Sequence, residues 1–262
     1  MRVDAMKNEL GRAGVVIGGR GQIGAAAAAG LLDRGLVDHV WSVDRSEPTG
    51  ADDPNVTQIV ADLRDDERLR SLKDELPTKI ASYVSVLGGE ENPPLQPVLD
   101  TAWPPPAVWD DITELNAGLA YRIIRLVQDR LVDGASITHV SSIAATMPWI
   151  VSPAYGAAKS ALEHWTVTLA VLLAPRGIRV NGVRPGFVWS RQWAAVDRAE
   201  FDSVVADRVP LVQFDDEGVT TREQLPADVA EAIVFLASSS ARHLTGQFLD
   251  VDGGASLIRA AR

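Results

Sequence analysis

One run near the start of the chain restricts the fold more than any other. Gly14-Val15-Val16-Ile17 has the apolar, β-branched makeup of a buried strand. It leads straight into Gly18-Gly19-Arg20-Gly21-Gln22-Ile23-Gly24 and then into an alanine-rich segment, Ala25 to Arg34, that reads as a helix stopping at Gly35. Strand, glycine-rich turn and helix in this order begin a parallel β-α-β unit. The turn exposes backbone amides and the helix N-terminus adds partial positive charge, so the combination suits a pyrophosphate. Gly24 lets the helix lie close to the strand. The next strand-like run, Val40 to Val43, ends at Asp44, twenty residues beyond Gly24, where a carboxylate can receive ribose hydroxyls. A glycine pattern alone says little; with Asp44 behind it, dinucleotide binding becomes the better reading.

The alternation continues along the chain. Residues 56–60, 80–87, 137–140, 178–183 and 247–251 read as strands, and 65–76, 112–131, 155–173 and 226–238 as helices. With no repeat and no linker, this predicts an α/β, Rossmann-type doubly wound parallel sheet of about seven strands with helices on both faces. It forms a single domain over 13–262 after a polar lead-in at 1–12. The interruption is 90–109, with prolines at 93, 94, 97, 104, 105 and 106, where helix is not expected to persist. That stretch is either a rigid lip over a site or an irregular insertion.

Charge and composition remove several functions. With 25 basic and 35 acidic residues the net charge is −10, which disfavours non-specific binding to nucleic acid or an anionic membrane. The absence of cysteine excludes disulfides, thiolate catalysis and cysteine-ligated metals together. No apolar run is long enough to span a bilayer and the N-terminus lacks a signal-type apolar core, so a cytoplasmic location is expected.

Catalytic chemistry concentrates in Ser141 to Ser160. Ser152 and Pro153 suit the start of a helix. Tyr155 and Lys159, four residues apart, then project from one helical face, and Ser142, at the end of the preceding strand, can approach the same space. A free phenol, with a pKa near ~10, is a poor acid-base catalyst at neutral pH. A neighbouring ammonium favours the phenolate. A serine hydroxyl can hold a carbonyl or alcohol oxygen beside it. Taken alone, the same spacing fits a buried tyrosine and a solvated lysine equally well.

Together these segments resemble the short-chain dehydrogenase/reductases, from about Ala13 to Gly254. Ser142, Tyr155 and Lys159 match that family's catalytic trio, and Asn116 stands where the family has a helix-kinking asparagine that holds a water in a proton relay to the lysine. Arg179-Val180-Asn181-Gly182-Val183-Arg184-Pro185-Gly186 is similar to the family's nicotinamide-lining segment, with Val188 and Ser190 placed for the carboxamide. Thr245-Gly246-Gln247 and Val251-Asp252-Gly253-Gly254 resemble its C-terminal signature. The resemblance implies a cofactor cleft built from Gly18, Arg20, Gly21, Gln22, Ile23, Gly24, Asp44, Arg45, Asp62, Leu63, Leu87, Gly88, Pro185, Gly186 and Val188, with Tyr155 and Lys159, and no metal. It also implies a substrate lid over 189–225, a homodimer or homotetramer, and a small alcohol or ketone as substrate.

The departures from the family matter too. Ile17 replaces a threonine and Gln22 the middle glycine of the best-known cofactor turn, leaving a G-x-x-G-x-x-G spacing in Gly18, Gly21 and Gly24. Val86-Leu87-Gly88-Gly89 stands where the family has Asn-Asn-Ala-Gly, so that turn must be held differently. In the mechanism the resemblance implies, a hydride passes between nicotinamide and substrate carbon. Tyr155 handles the proton, Ser142 positions the oxygen, and Lys159 lowers the tyrosine pKa while gripping the ribose. Asp44 favours NAD because a carboxylate repels a 2′-phosphate, while Arg20 and Arg45 offer NADP a receptor. Met147, Trp149, Trp189 and Trp193 favour an apolar or aromatic substrate. Two other functions stay open: a non-redox lyase of this fold, where such enzymes carry arginine at the Lys159 position, and a cofactor-binding sensor without turnover.

Overall fold

The structure is a computed structural model that describes residues 11–48, 53–89, 104–148, 151–190, 193, 196–214, 218 and 220–258. Nine strands occur among them: β1 (Ala13–Ile17), β2 (His39–Asp44), β3 (Val56–Val60), β4 (Ile80–Ser85), β5 (Leu131–Val140), β6 (Arg179–Pro185), β7 (Gln213–Phe214), β8 (Thr220–Thr221) and β9 (Phe248–Val251). Seven form one sheet in the order β3-β2-β1-β4-β5-β6-β9, every pairing parallel, while β7 and β8 pair antiparallel outside it. The order reverses between β1 and β4, and it is beyond the carboxyl ends of the strands at such a reversal that α/β sheets hold ligands.

Strand parity assigns the two faces. Val15 and Ile17 point with Trp41, Val43, Tyr83, Ile137 and Val180 into one core, whereas Val16, Val40, Val84 and Val183 point into the other. The first is covered by α2 (Asp66–Glu75), α4 (Leu119–Val127) and α5 (Pro153–Leu173), the second by α1 (Gln22–Asp33) and α7 (Pro226–Ala237). Both faces of the sheet are therefore buried, as a parallel sheet requires. Two caps set the helices that matter here. Asp65 accepts from the amides of Glu67 and Arg68 at the start of α2, and Ser152 Oγ accepts from Tyr155 N at 3.3 Å to start α5, with Pro153 in its first turn.

Four expectations need correction. Helix α1 begins at Gln22, so Gln22–Gly24 belong to its first turn rather than to the loop before it. Helix α3 (Pro106–Thr113) begins inside the stretch expected to be non-helical. Pro105 is its N-cap and Pro106 its first residue, positions where a missing N–H costs nothing because no partner exists there. Residues 90–103 lie outside the described set. The helix expected over 112–131 is not continuous: Glu114–Gly118 form a π turn, α4 ends at Val127, and a 3₁₀ turn follows at Gln128–Arg130. Strand β5 then starts at Leu131, well before the expected 137, with its register against β4 broken between Ile80 and Ser82. Gly134, at φ +81°, hides this extension from a period-two reading. Among the described residues, no helix is long and apolar enough to cross a membrane.

Candidate active site

The carboxyl end of β1 opens into the glycine turn. Gly18 has φ +77°, the left-handed region glycine tolerates best, and a Cβ there would stand 3.0 Å from Val86 O. At Gly24 a Cβ would fall 2.2 Å from Gly18 O and 2.9 Å from Gly19 Cα, so α1 rests directly on the turn. Gly21 is the N-cap of α1 and has no side chain to occupy the first amides of the helix, which suits an anionic ligand. Asp44, at the end of β2, is fixed by two backbone donors: Arg20 N gives to Oδ2 at 3.1 Å and Ser46 N to Oδ1 at 2.9 Å. Arg20 gives Nε to Gln58 Oε1 at 3.1 Å, while its two terminal nitrogens are buried with no hydrogen-bond partner among the described residues. The Arg64 guanidinium and amide hold the Asp62 carboxyl below the usual carboxylate range.

From this turn one cleft of about 1060 Å³ extends to the first turns of α5. Gly18, Arg20, Gly21, Gln22, Ile23, Asp44, Arg45, Asp62, Leu63, Leu87, Gly88, Pro185, Gly186 and Val188 line it, and so do Ser142, Tyr155 and Lys159. Gly24 lies beneath it as a packing residue, and Asn116 stands behind its wall. The lysine is the least exposed of the reactive groups, at 2 %. Its Nζ donates to Leu87 O at 3.1 Å and to Val140 O at 3.0 Å, and lies 5.7 Å from the centre of the Tyr155 ring. Burial pushes the Lys159 amine down to about 7, with the Glu163 carboxylate working in the opposite direction. Ser142 caps the 3₁₀ turn Ile143–Ala145, its Oγ accepting from Ala144 N at 3.1 Å, so its own proton is not spent in that bond.

Asn116 braces the 86–89 turn from the helix side. It sits in the π turn, 1 % exposed. Its Oδ1 accepts from Gly89 N at 2.9 Å, and its Nδ2 donates to Gly89 O at 3.0 Å and to Ile112 O at 2.9 Å. Gly88, at φ +131°, completes the fit: a Cβ there would meet Asn116 Oδ1 at 2.3 Å and Lys159 Nζ at 2.5 Å. The missing side chain is what lets the amide and the ammonium stand behind one turn.

Several lining residues escaped sequence reasoning. Val108, Asp111, Ile112 and Leu115 reach the cleft because α3 begins at Pro106, and the proline cluster was the available signal for that start. Val151 and Phe187 complete the apolar wall. Trp193 lines the cleft, and both Trp193 and Trp189 pack on Phe201 of α6 (Arg198–Arg208), with ring centres at 5.4 and 5.0 Å. Met147 is packed against the same cluster, while Trp149 lies outside the described residues.

Residues 20–256 match the protein family described as Enoyl-(Acyl carrier protein) reductase. The cis-4-hydroxycyclohexanecarboxylate dehydrogenase of Sinomonas cyclohexanicum is 30% identical over 261 residues, spanning 94% of this chain and 97% of that protein. A 3-oxoacyl-(acyl-carrier-protein) reductase of Vibrio harveyi is 27% identical over 260 residues, spanning 96% and 100%. Among solved structures, a short-chain type dehydrogenase/reductase from Mycobacterium ulcerans matches with a TM-score of 0.76 at 27% identity, covering 95% of this chain and 91% of that one. The aldohexose dehydrogenase of Thermoplasma acidophilum reaches a TM-score of 0.79 at 22% identity over 98% of both chains, a likeness of fold alone.

Proposed function

The chain belongs to the short-chain dehydrogenase/reductase family of oxidoreductases, and from that premise we propose that it interconverts a secondary alcohol and a ketone with NAD as hydride carrier. One observation carries the reading: a lysine only 2 % exposed lies 5.7 Å from the tyrosine ring centre in a cleft that begins at the glycine turn. The residues present suit a dinucleotide. The close approach of Gly24 to Gly18 leaves the amides of α1 for a pyrophosphate, and Asp44, already clamped by Arg20 N and Ser46 N, faces the cleft as a fixed acceptor for ribose hydroxyls. When bound, the nicotinamide supplies hydride transfer at carbon.

The chain's own groups then handle the oxygen and its proton. Tyr155 Oη gives the proton to the carbonyl oxygen in reduction and takes it in oxidation. Ser142 Oγ donates to the same oxygen and holds it in place. Lys159 offsets the charge that appears on Oη when the proton leaves. An ammonium has three donors; two go to Leu87 O and Val140 O, and the third is available to a ribose hydroxyl or to a water near Asn116. Ile112, Leu115, Ile143, Val151, Phe187 and Trp193 favour an apolar or aromatic substrate, and the relative that acts on a hydroxycyclohexane acid is consistent with a ring alcohol. Val167, Val171 and Leu172 on α5, with Tyr121 on α4, leave an exposed apolar face that a second copy of the chain would cover.

The test is NADH consumption against a panel of ketones, with Tyr155→Phe as control. That variant should lose roughly 10²- to 10⁴-fold in kcat, the usual worth of a general acid, while binding NADH as before. Undiminished turnover in Tyr155→Phe would sink the mechanism, and NADH binding without turnover in the native protein would favour a sensor. On the cofactor, the terminal nitrogens of Arg20, buried with no partner among the described residues, support a second reading, NADP, because a phosphate would satisfy them. Asp44→Ala should move the ratio of NADH to NADPH affinity toward NADPH by about tenfold, or ~1.4 kcal/mol, a size within reach of one like charge a few ångströms away. Equal affinity for both in the native protein would refute the role given to Asp44.

A further inference from the structure

Glu163 stands on α5 one turn beyond Lys159, outside the cleft, and accepts three hydrogen bonds. Its Oε1 accepts from Ser141 Oγ at 2.7 Å and from Arg184 Nε at 2.7 Å, and its Oε2 accepts from the second arm of the same guanidinium, also at 2.7 Å. The two side chains are only 13 % and 18 % exposed. Arg184 is itself locked, donating to Asp250 Oδ1 at 3.0 Å and stacking 4.9 Å over the Phe248 ring on β9. A buried ion pair adds little net stability, because desolvation offsets the attraction; what two parallel charge-assisted bonds do deliver is a fixed geometry.

That geometry is passed to the site through Ser141. Its amide donates to Val183 O at 2.8 Å and its hydroxyl to Glu163, so the residue is held from β6 and from α5 at once. On one side of it is Val140, whose carbonyl accepts from Lys159 Nζ; on the other is Ser142. We propose that Glu163, clamped by Arg184, is a positioning residue of the hydride-transfer site: through Ser141 it fixes the end of β5 that orients both Lys159 and Ser142. The inference rests on the oxidoreductase reading above. Glu163 also bears on the charge of Lys159. The ionisable groups around that amine are Tyr155 and Glu163 on its own helix, His139 on β5 with Tyr83 on β4 behind it, and Arg184 on β6, reached through Glu163. The neutral amide of Asn116 comes from the π turn. Among the described residues, Glu163 is the charged neighbour that favours the ammonium.

The experiment uses the full chain with Ser141→Ala, Ser141→Thr and Glu163→Gln. Ser141→Ala removes only the hydroxyl and leaves the ion pair, so it remains informative if Glu163→Gln does not fold. Ser141→Ala and Glu163→Gln should lower kcat by about 10- to 100-fold, the cost of slight misplacement of reacting groups, with the Kd for NADH within twofold, and Ser141→Thr should restore most of the rate. Unchanged kcat with only a lowered Tm would overturn the proposal. A second measurement does not depend on turnover. The chain has four lysines, Lys7, Lys73, Lys79 and Lys159, so a ¹³Cε-lysine NMR titration can follow the buried one. Its midpoint should fall in Glu163→Gln. If the native protein turns over no ketone, the oxidoreductase reading fails on its own, and an unmoved Lys159 midpoint would then decide against Glu163 separately.

Discussion

Replacing Asn116 by alanine tests how the turn after β4 is held. The amide makes three hydrogen bonds, two to Gly89 and one to Ile112 O, at 2.9 to 3.0 Å, and is 1 % exposed. At about 0.5–1.5 kcal/mol net for each bond the loss is roughly 2–4 kcal/mol. Gly89 lines the cleft, so water can recover part of its share, which places the expectation at the lower end. A chain of this size loses about 2–4 °C of Tm per kcal/mol, giving a drop of roughly 4–10 °C. Function should suffer more than stability. Gly88 lines the cleft and Leu87 O accepts from Lys159, so loosening the turn disturbs the cofactor wall and the lysine together. Thermal unfolding followed by circular dichroism, with NADH binding followed by tryptophan fluorescence, measures both. An Asn116→Ala protein with native Tm and native NADH affinity would show that the amide does not hold the turn.

Two other perturbations follow from the geometry. Gly24→Ala sets a methyl 2.2 Å from Gly18 O and 2.9 Å from Gly18 C, both backbone atoms that cannot move aside. It should cost about 1–3 kcal/mol in urea unfolding, as overpacking does, and abolish NADH binding; native binding would refute the close-approach role. His139 predicts an acid sensitivity. Its Nδ1 lies 2.8 Å from Thr166 Oγ1, whose proton goes to Leu162 O, so Nδ1 carries hydrogen and Nε2 is bare, with no partner among the described residues. Burial, reinforced by Lys159, pushes the imidazole down to about 4 from 6.5. Between those values the unfolded chain binds the extra proton, so stability is lost as pH falls from 6.5 toward 4. At ~1.36 kcal/mol per unit the effect is at most roughly 3 kcal/mol, and His139→Phe should flatten the Tm–pH curve over that window. An equal slope in both proteins would contradict it.

The patterns that local chemistry writes into a chain were readable here. The alternation of strand and helix, the burial parity of β1, the glycine turn, and Asp44 at the end of its own short apolar run each rest on neighbours within a few residues, where period and turn preference act. So does the placing of Tyr155 and Lys159 on one helical face. The errors fell where a local signal misleads. Prolines 104–106 read as a barrier to helix although the last of them starts α3, and Gly134 concealed the first half of β5. The depth at which Lys159 is buried came only with the tertiary structure, because its two acceptors lie 72 and 19 residues away. The same holds for the amide of Asn116 bracing Gly89, 27 residues earlier, and for Glu163 joining Arg184 and Ser141 across 21 and 22 residues. No periodicity spans such distances. These contacts exist because the sheet brings the ends of β4, β5 and β6 to one edge, where buried polar groups must find partners from whichever elements meet there.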